Sequence, residues 1–494
     1  FLRMIDFVES WWPPAEDKNR LEDYTRRQQL FESDHAEAFK EKSGKLPEHL
    51  KDKVYLVQDY PKLISKEFAK LLFGEAPIFS LPGEQQKQLD KLVADNRLNI
   101  ALYESELSTS FRGDGVFKVS IGPRHPGGEN EVLIEEVPAY CYFAELDPDN
   151  TRRVKSQCLA WERVVVKKGP DGEKREIRYL RVEEHGAGWI RNALFVIKGF
   201  TKIEGPVPLS DLYGDDPGAP KDYYETKVPV PLLFHMPNVR HGSCFYGESD
   251  YTLGLESLFD EANQRITSIG CVLDKHVEPM TAIPTGIINK RGTVKVEDLA
   301  LIEVAPEDAS VGLPKKVTWD PLLDSSFREL ETIDERIFLF SDICRPDRKA
   351  IGRIESGRAM HMLMAPMLAR VKLKQTYRQP VVCEMLHTGM WLGAVNGIAG
   401  YTVPSAMPEM VWRNGLPKDD KELMDVASIG KGAQIFSQED AIRYFFQCSA
   451  QEARAVMARV KAEQEADPQP SPAPPPSPAP QPDEDTLDQQ SSAA

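Results

Sequence analysis

Apolar side chains recur at spacings of three and four along much of the chain, the pattern of a helix that buries one side. The spacing predicts a helix over 61–73 that stops at Gly74, and two more over about 84–95 and 97–111 that stop near Gly113. A charged helix is predicted over 14–44, and a short strand over Pro77–Leu81. The apolar side of the helix over 61–73 carries Leu63, Ile64, Phe68, Leu71 and Leu72.

Between 115 and 205 the helical spacing stops, and short runs rich in β-branched and aromatic residues take over. Turns of glycine, proline and aspartate, such as 169–172, separate these runs. We expect an antiparallel β region inside an otherwise helical protein, and so an α+β fold. The predicted strands are Val116–Ile121, Val132–Val137, Cys158–Lys167, Ile177–Glu183 and Trp189–Lys198.

Two long amphipathic helices are predicted over 249–279 and 320–343. Pro279 ends the first, and Asp320 with Pro321 is a typical start for the second. About 40 residues separate them, 280–319, with strand-like pieces at Thr285–Asn289 and Leu301–Val304. The two stripes are Leu255, Phe259, Ala262, Ile266, Ile269, Leu273 and Val277, and then Leu323, Phe327, Leu330, Ile333, Ile337 and Phe340.

A further helical pattern begins at about Ser356 and carries regularly spaced methionines, which we interpret as core residues. Pro366 and Pro380 lie inside it and are expected to kink or break the helix. Capping-box patterns at 437–440 and 449–452 predict two more helices, the second reaching Ala466. Residues 468–482 hold nine prolines, so 467–494 is predicted to be a disordered or extended tail.

Charge and motifs exclude several classes of protein. With 61 basic and 77 acidic residues the net charge is −16, which argues against a dedicated nucleic-acid coat but allows a protein that DNA slides past. The tail carries five acids and no base, so residues 1–466 hold a net charge of −11.

Apolar runs fall far short of the ~20 residues of a membrane helix. Seven scattered cysteines without a CxxC pair fit a reducing cytoplasm. Because the chain opens at Phe1, an N-terminal piece is expected to be missing.

No enzymatic motif stands out. The phosphate loop GxxxxGK[ST] of a packaging ATPase, HExxH and GxSxG are all absent. His235 and His241 flank a short loop, and no acidic residue is spaced so as to pair with them. We therefore expect both to be ordinary loop or core residues. Asp342 and Asp347 are interpreted as residues of a helix end and of a solvated loop, not as metal ligands. Residues 111–115 are interpreted as a plain turn. We therefore predict no catalytic residue, no metal and no cofactor.

Several stretches, in this order, resemble the portal proteins of long-tailed bacteriophages over about residues 55–466. They are 71–77 (LLFGEAP), 96–115, 229–234 (PVPLLF), 249–251 with 258–263 (LFDEAN), 355–360 (ESGRAM) and 435–437 with the final Glu-rich helix. No single motif is strong, and their order and spacing carry the resemblance.

The resemblance implies a portal fold, with a mixed α/β wing, a helical stem, a small β-containing clip, a long kinked helix and a helical crown. Carried onto this chain, it places the wing at 1–248, the stem at 249–279 and 320–343, and the clip at 280–319. The tunnel loop falls at 344–355, the long helix with wing and crown parts at 356–430, and the crown helices at 431–466.

The resemblance also implies a function: a homododecameric ring at one capsid vertex through which DNA is packaged, retained and ejected. Its expected partners are further copies of itself, double-stranded DNA without sequence preference, the terminase large subunit, a head–tail adaptor, scaffold and the major capsid protein. No membrane partner is expected. The protein would be a virion component assembled in the host cytoplasm.

Three groups of residues are candidates for these contacts. The basic segment between the second and third long helices would touch DNA phosphates, although its charges could instead pair with acids of neighbouring subunits. Bases of the clip would dock partners, although they could equally be solvated surface. The groups are Arg345, Arg348, Lys349, Arg353 and Arg358 for DNA, Lys290, Arg291, Lys295, Lys315 and Lys316 for partners, and Leu255, Phe259, Ile266, Phe327, Ile333 and Ile337 for the stem interface.

Two rival functions stay open. A different minor capsid or head–tail connector protein would be shorter in most cases and would lack the helix–clip–helix plan. A metal-dependent nucleic-acid enzyme would need carboxylates or histidines that converge in space, and the sequence spacing shows no such cluster.

Overall fold

The computed structural model describes residues 11–40, 55–168, 173–214, 216, 218–242, 244–277, 281–284, 301–304, 315–316, 323–344, 362–413, 420–446, 448 and 450–466. The chain divides into two units, one ending at Asp419 and the other starting at Asp420. Helices and antiparallel sheets alternate along it, which confirms the predicted α+β class. None of the described helices combines the length and the low charge that crossing a bilayer requires.

The described helices of the first unit include three long ones. Gly74 and Gly113 follow the ends of two helices as predicted, and Gly113 adopts a positive φ of 99°. The bounds are α1 Lys18–Phe31, α2 His35–Ala38, α3 Tyr60–Phe73, α4 Gln85–Asp95, α5 Leu98–Arg112, α6 Ser210–Tyr213, α7 Leu253–Val277, α8 Leu323–Phe340 and α9 Ala365–Val395.

The described strands form four sheets. A large antiparallel sheet has the order β4-β5-β6-β7-β8, with β9 paired to β7. Two smaller antiparallel sheets have the orders β10-β2-β3 and β1-β14, and a mixed one has the order β12-β11-β13. The bounds are β1 Ile78–Ser80, β2 Asp114–Pro123, β3 Asn130–Val137, β4 Tyr142–Asp147, β5 Asn150–Lys168, β6 Lys174–Gly186, β7 Trp189–Lys198, β8 Lys202–Val207, β9 Tyr223–Glu225, β10 Leu233–Pro237, β11 Thr281–Pro284, β12 Leu301–Val304, β13 Lys315–Lys316 and β14 Glu409–Val411.

The main core lies where α3, α5 and α9 meet the sheet β10-β2-β3. Phe68 of α3, Leu102 of α5 and Leu386 of α9 are all buried, together with Phe117 of β2. Apolar positions of these helices therefore meet in one core, although Leu63 of the predicted α3 stripe is 38% exposed. A separate core, with Leu180 and Phe195, covers one face of the large sheet.

Helices α7 and α8 pack against each other. Arg265 of α7 bonds to Glu329 of α8 at 3.0 Å, and Ile333 and Ile337 of α8 join the main core. The three short strands β11–β13 belong to the stretch between the two helices. The predicted strand Leu301–Val304 is confirmed, whereas Thr285–Asn289 lies outside the described residues.

The two prolines of the predicted helix have different outcomes. The break expected at Pro366 is confirmed: residues 362 and 363 are helical, a turn follows at Met364, and α9 begins at Ala365 with Pro366 in its first turn, where a missing N–H costs nothing. Pro380 lies inside α9, which continues to Val395, so this proline does not break the helix. Met367 and Met385 are buried, which confirms the core interpretation for these two methionines. The pattern's first residues, 356–361, lie outside the described part.

The predicted charged helix over 14–44 is also corrected. Helix α1 ends at Phe31, and Ser33 takes a left-handed conformation with φ of 69° before the short α2 begins at His35. A residue in that conformation cannot continue a right-handed helix.

The second unit consists of helices α10 Asp420–Gly432, α11 Gln438–Phe446 and α12 Ala450–Ala466. Its first capping box forms as predicted. The Ser437 hydroxyl accepts from the Asp440 N–H at 3.0 Å, and the Asp440 carboxylate accepts from the Ser437 N–H at 3.2 Å. Ser449 of the second box lies outside the described residues.

Candidate functional site

The segment predicted to touch DNA lies between the end of α8 and the start of α9. Arg345, Arg348, Lys349, Arg353 and Arg358 all fall outside the described residues. The structure does describe both flanks of this segment, and those flanks meet a group of buried charges.

Arg370, one turn into α9, bonds to two carboxylates. Its Nη2 donates to Asp250 Oδ1 at 2.9 Å, and its Nη1 donates to Asp342 Oδ2 at 3.2 Å. Asp250 stands just before α7, and Asp342 stands just after α8. One guanidinium therefore ties the beginning of the first long helix and the end of the second to the same point on α9.

A fully buried ion network continues from Asp250. Lys374 donates to Asp250 Oδ2 at 2.6 Å and to Glu106 Oε1 at 3.2 Å. Arg378 donates from Nε and Nη2 to Glu106 at 2.8 and 3.0 Å. Glu106, Lys374 and Arg378 are 0% exposed, and Asp250 is 2% exposed.

Most polar atoms of this network have hydrogen-bond partners, as buried charges require, and Arg370 Nε is an exception. Arg378 Nη1 also donates to the carbonyls of Pro237 and Asn238 at 2.6 and 2.8 Å. Ser110 donates to Asp250 at 2.7 Å, and the Asn238 amide donates to it at 3.0 Å. With Asp342 included, three acids face three bases, so the network is close to electrically neutral.

The electrostatics of Asp250 follow from these contacts. Burial alone raises a carboxyl pKa, but Lys374 and Arg370 outweigh it and hold the pKa of Asp250 well below its ordinary value. The pKa of Arg370 is raised: burial lowers it, but Asp250 and Asp342 outweigh that effect. Both side chains are thus held in their charged forms.

The chain approaches itself very closely where it enters this site. A Cβ on Gly247 would lie 2.1 Å from the carbonyl oxygen of Gly113, so no other residue fits there without movement. The Ser249 hydroxyl donates to the carbonyl of Phe111 at 2.7 Å, near the end of α5. The segment before α7 therefore packs closely against the C-terminal end of α5 and is hydrogen-bonded to it.

A second buried acid fastens α7 to the first helix. Glu256, 0% exposed, accepts from Arg26 Nε and Arg27 Nε, each at 3.0 Å. The base of α7 is therefore held from two sides, by α9 through Asp250 and by α1 through Glu256.

Asp114 forms a third buried centre. It accepts from the Tyr24 hydroxyl at 2.5 Å and from the Gly247 N–H at 2.8 Å, and it lies 2.6 Å from His235 Nε2. Burial and the neighbouring Asp114 raise the pKa of Tyr24 well above its ordinary value. His235 is thus a core residue as expected, but it does have an acidic partner: Asp114, the first residue of β2, in the segment 111–115 that was predicted to be a plain turn. His241 is exposed.

Within the described ranges, no group of three or more His, Cys, Asp or Glu is arranged to hold a metal ion. The buried acids of this site, Glu106, Asp114, Asp250 and Glu256, accept from arginine, lysine, tyrosine or backbone donors, which leaves their oxygens engaged. What this arrangement can do is mechanical: it fixes the bases of α7, α8 and α9 to one another.

Comparison with known proteins adds little. No family profile and no curated protein matches the chain. Among solved structures, a chain from the virion of a native gene transfer agent particle matches 88% of this chain and 95% of its own length. The identity is 14% and the TM-score 0.38, and a likeness this weak carries no argument about function.

The predicted clip residues are only partly placed. Lys315 and Lys316 form β13, opposite Ala282 and Thr281 of β11. Lys290, Arg291 and Lys295 lie outside the described residues. Their proposed partner contacts stay predictions.

The predicted stem residues divide into two groups. Leu255, Phe259, Ile333 and Ile337 are at most 6% exposed and pack in the chain's own core, so they do not need a neighbouring subunit to cover them. Phe327 is 46% exposed, and Ile266 is partly exposed. An interface role now rests on these two residues and stays a prediction.

Sequence reasoning missed the ion network. One signal could have found it: Arg370, Lys374 and Arg378 recur every four residues on α9, and so lie on one side of a helix. Nothing local pointed to Glu106, which is 268 residues away from Lys374.

Proposed function

We propose that this chain is a subunit of a phage portal ring, a structural protein through which double-stranded DNA enters and leaves a capsid. The observation that carries the proposal is the anchoring of the helix pair α7–α8. Arg370 holds Asp250 before α7 and Asp342 after α8, so both near ends of the pair are fixed at one point.

This anchoring gives the pair a direction. Because the start of α7 and the end of α8 are fastened together, the helices run antiparallel, and the bond between Arg265 and Glu329 midway along them agrees with that arrangement. The strands β11–β13, which lie between the two helices in the chain, are then carried at the far end. This is the stem-and-clip plan that the resemblance implies, with the small β piece available to the terminase large subunit and a head–tail adaptor.

The same anchoring supports a DNA-contacting tunnel loop. Residues 345–358 hold five arginines and lysines against Asp347 and Glu355, and their two flanks are tied through Asp342 and Arg370. A basic loop on a rigid base can make weak, exchangeable phosphate contacts without reading sequence. The acidic remainder of the chain would keep DNA from sticking during transit.

We propose no catalytic role. The buried acids Glu106, Asp114, Asp250 and Glu256 are engaged by cations or hydrogen-bond donors, so none of these four is positioned to act on a substrate. The proposal places the protein in the virion, with scaffold and the major capsid protein as neighbours.

Size-exclusion chromatography with light scattering, followed by negative-stain imaging of the full chain, tests the proposal. We expect a mass many times that of one subunit and closed rings with a central channel. A monomer or dimer across a wide concentration range, with or without nuclease activity, would overturn it.

A further inference from the structure

Strand β5 has a free edge in the part of the chain that the structure describes. Its partner β4 pairs with it only as far as Leu159, whereas its partner β6 continues to Lys168. Over 162–167, β6 is therefore the one strand paired with β5 among the described residues. An unpaired strand edge of this kind is a template for the addition of another strand.

The side chains along this edge alternate in character. Val164 and Val166 point to one face of the sheet and are 58% and 55% exposed. Arg163 and Lys167 point to the other face, opposite Tyr179 and Arg175 of β6. One face of the edge thus offers two exposed valines, and the other offers Arg163 and Lys167 on either side of the partly buried Val165.

The region is basic in an acidic chain. Residues 150–207 contain thirteen lysines and arginines against seven aspartates and glutamates, although the whole chain has a net charge of −16. An acidic strand added at this edge would complement the charge of the region.

We propose that the edge of β5 at 162–167 is a docking site for an extended segment of a partner protein in which apolar and acidic residues alternate. Its backbone extends the sheet beyond β5. Its apolar side chains cover Val164 and Val166, and its acidic side chains face Arg163 and Lys167. The exposed valines and the free backbone edge favour a peptide over nucleic acid, which would use the charges alone. This site is separate from the helix pair and does not depend on ring assembly.

Binding to the purified full chain can be measured by fluorescence anisotropy with a labelled synthetic peptide in which valine and glutamate alternate. Two comparison peptides have the same composition in separate valine and glutamate blocks, or lysine in place of glutamate. A short DNA duplex is the fourth probe. We expect the alternating acidic peptide to bind best. A carbonyl-labelled version should show the infrared shift of strand pairing.

Substitutions locate the contact. Arg163→Glu with Lys167→Glu should weaken binding of the alternating acidic peptide about tenfold, and Val164→Thr with Val166→Thr should weaken it several-fold. The matched control is Lys66→Glu with Lys87→Glu, two exposed lysines of α3 and α4, which should leave binding unchanged. Circular dichroism checks that each variant keeps its fold.

Three outcomes overturn the proposal. Equal binding of the block peptide means charge attraction without strand addition, and tighter binding of the duplex means a nucleic-acid surface. Unchanged affinity in both β5 variants places the contact elsewhere. A change in oligomer mass in the valine variant means that a second copy of this chain, not a different partner, occupies the edge.

Discussion

Arg378 and Glu106, both completely buried, form two hydrogen bonds of 2.8 and 3.0 Å across 272 positions of sequence. The pair joins the long helix α9 to α5, and Lys374 bonds to the same carboxylate one turn earlier. A charged pair at this depth contributes to stability only while every member is present, because its partners cannot regain the water they have lost.

Glu106→Gln should therefore destabilise the fold strongly. The amide keeps the shape but leaves Lys374 and Arg378 with one counter-charge fewer, and we expect a loss of about 3 kcal/mol in the free energy of unfolding. Urea denaturation followed by circular dichroism measures it. Glu104→Gln is the matched control, since Glu104 is exposed on the same helix, and it should change stability by less than about 0.5 kcal/mol. Equal effects of the two substitutions would contradict the network's role.

The lowered pKa of Asp250 leads to a prediction about how the stability of the fold depends on pH. Its pKa in the folded protein is lower than in the unfolded chain, so its ionised form stabilises the fold. That contribution is fully present above the ordinary carboxyl pKa of about 4 and is lost as the pH falls through the lowered folded value.

The free energy of unfolding should thus fall as the pH drops below about 5, and Asp250→Asn should flatten that fall by up to about 1.4 kcal/mol per pH unit. Urea midpoints between neutral and acidic pH measure the slope. The control Asp90→Asn, an exposed acid on α4, should keep the parent slope. A parallel curve for Asp250→Asn would show that other groups dominate acid unfolding.

How well the sequence predicts a feature of this fold depends on how far apart in the sequence the interacting residues lie. Apolar stripes located α3, α7, α8 and α9, because helical spacing is a local property that survives in the fold. Capping chemistry located the start of α11 at Ser437 for the same reason. The ion network was not predicted, because Glu106, Asp250 and Arg378 come from three distant segments and no local sequence pattern distinguishes them. Asp114, interpreted as a turn residue, is instead 1% exposed and bonded to Tyr24.

The helix pair offers a test that separates folding from assembly. Ile337 is 1% exposed in the chain's own core, so Ile337→Asp should unfold the subunit itself. Phe327, on the same helix, is 46% exposed, so Phe327→Asp should keep the fold and lose the ring. Light scattering reports assembly, and circular dichroism reports folding. Intact rings of Phe327→Asp would remove this residue from the interface.

The basic segment between α8 and α9 makes the last prediction. Arg348→Ala with Lys349→Ala removes two of five cationic side chains whose flanks are held by Asp342 and Arg370. Each phosphate contact is weak and independent of sequence, so we expect normal rings but lower retention of packaged DNA, equally for any sequence. Packaging of two DNAs of different base composition, followed by nuclease protection, measures this. The control Lys66→Ala with Lys87→Ala changes net charge by the same amount on the exposed faces of α3 and α4 and should retain DNA like the parent. Rings that hold DNA as the parent does would show that these two side chains do not touch it. Failure to assemble would show instead that they pair with acids of a neighbouring subunit, because a phosphate contact has no part in closing the ring.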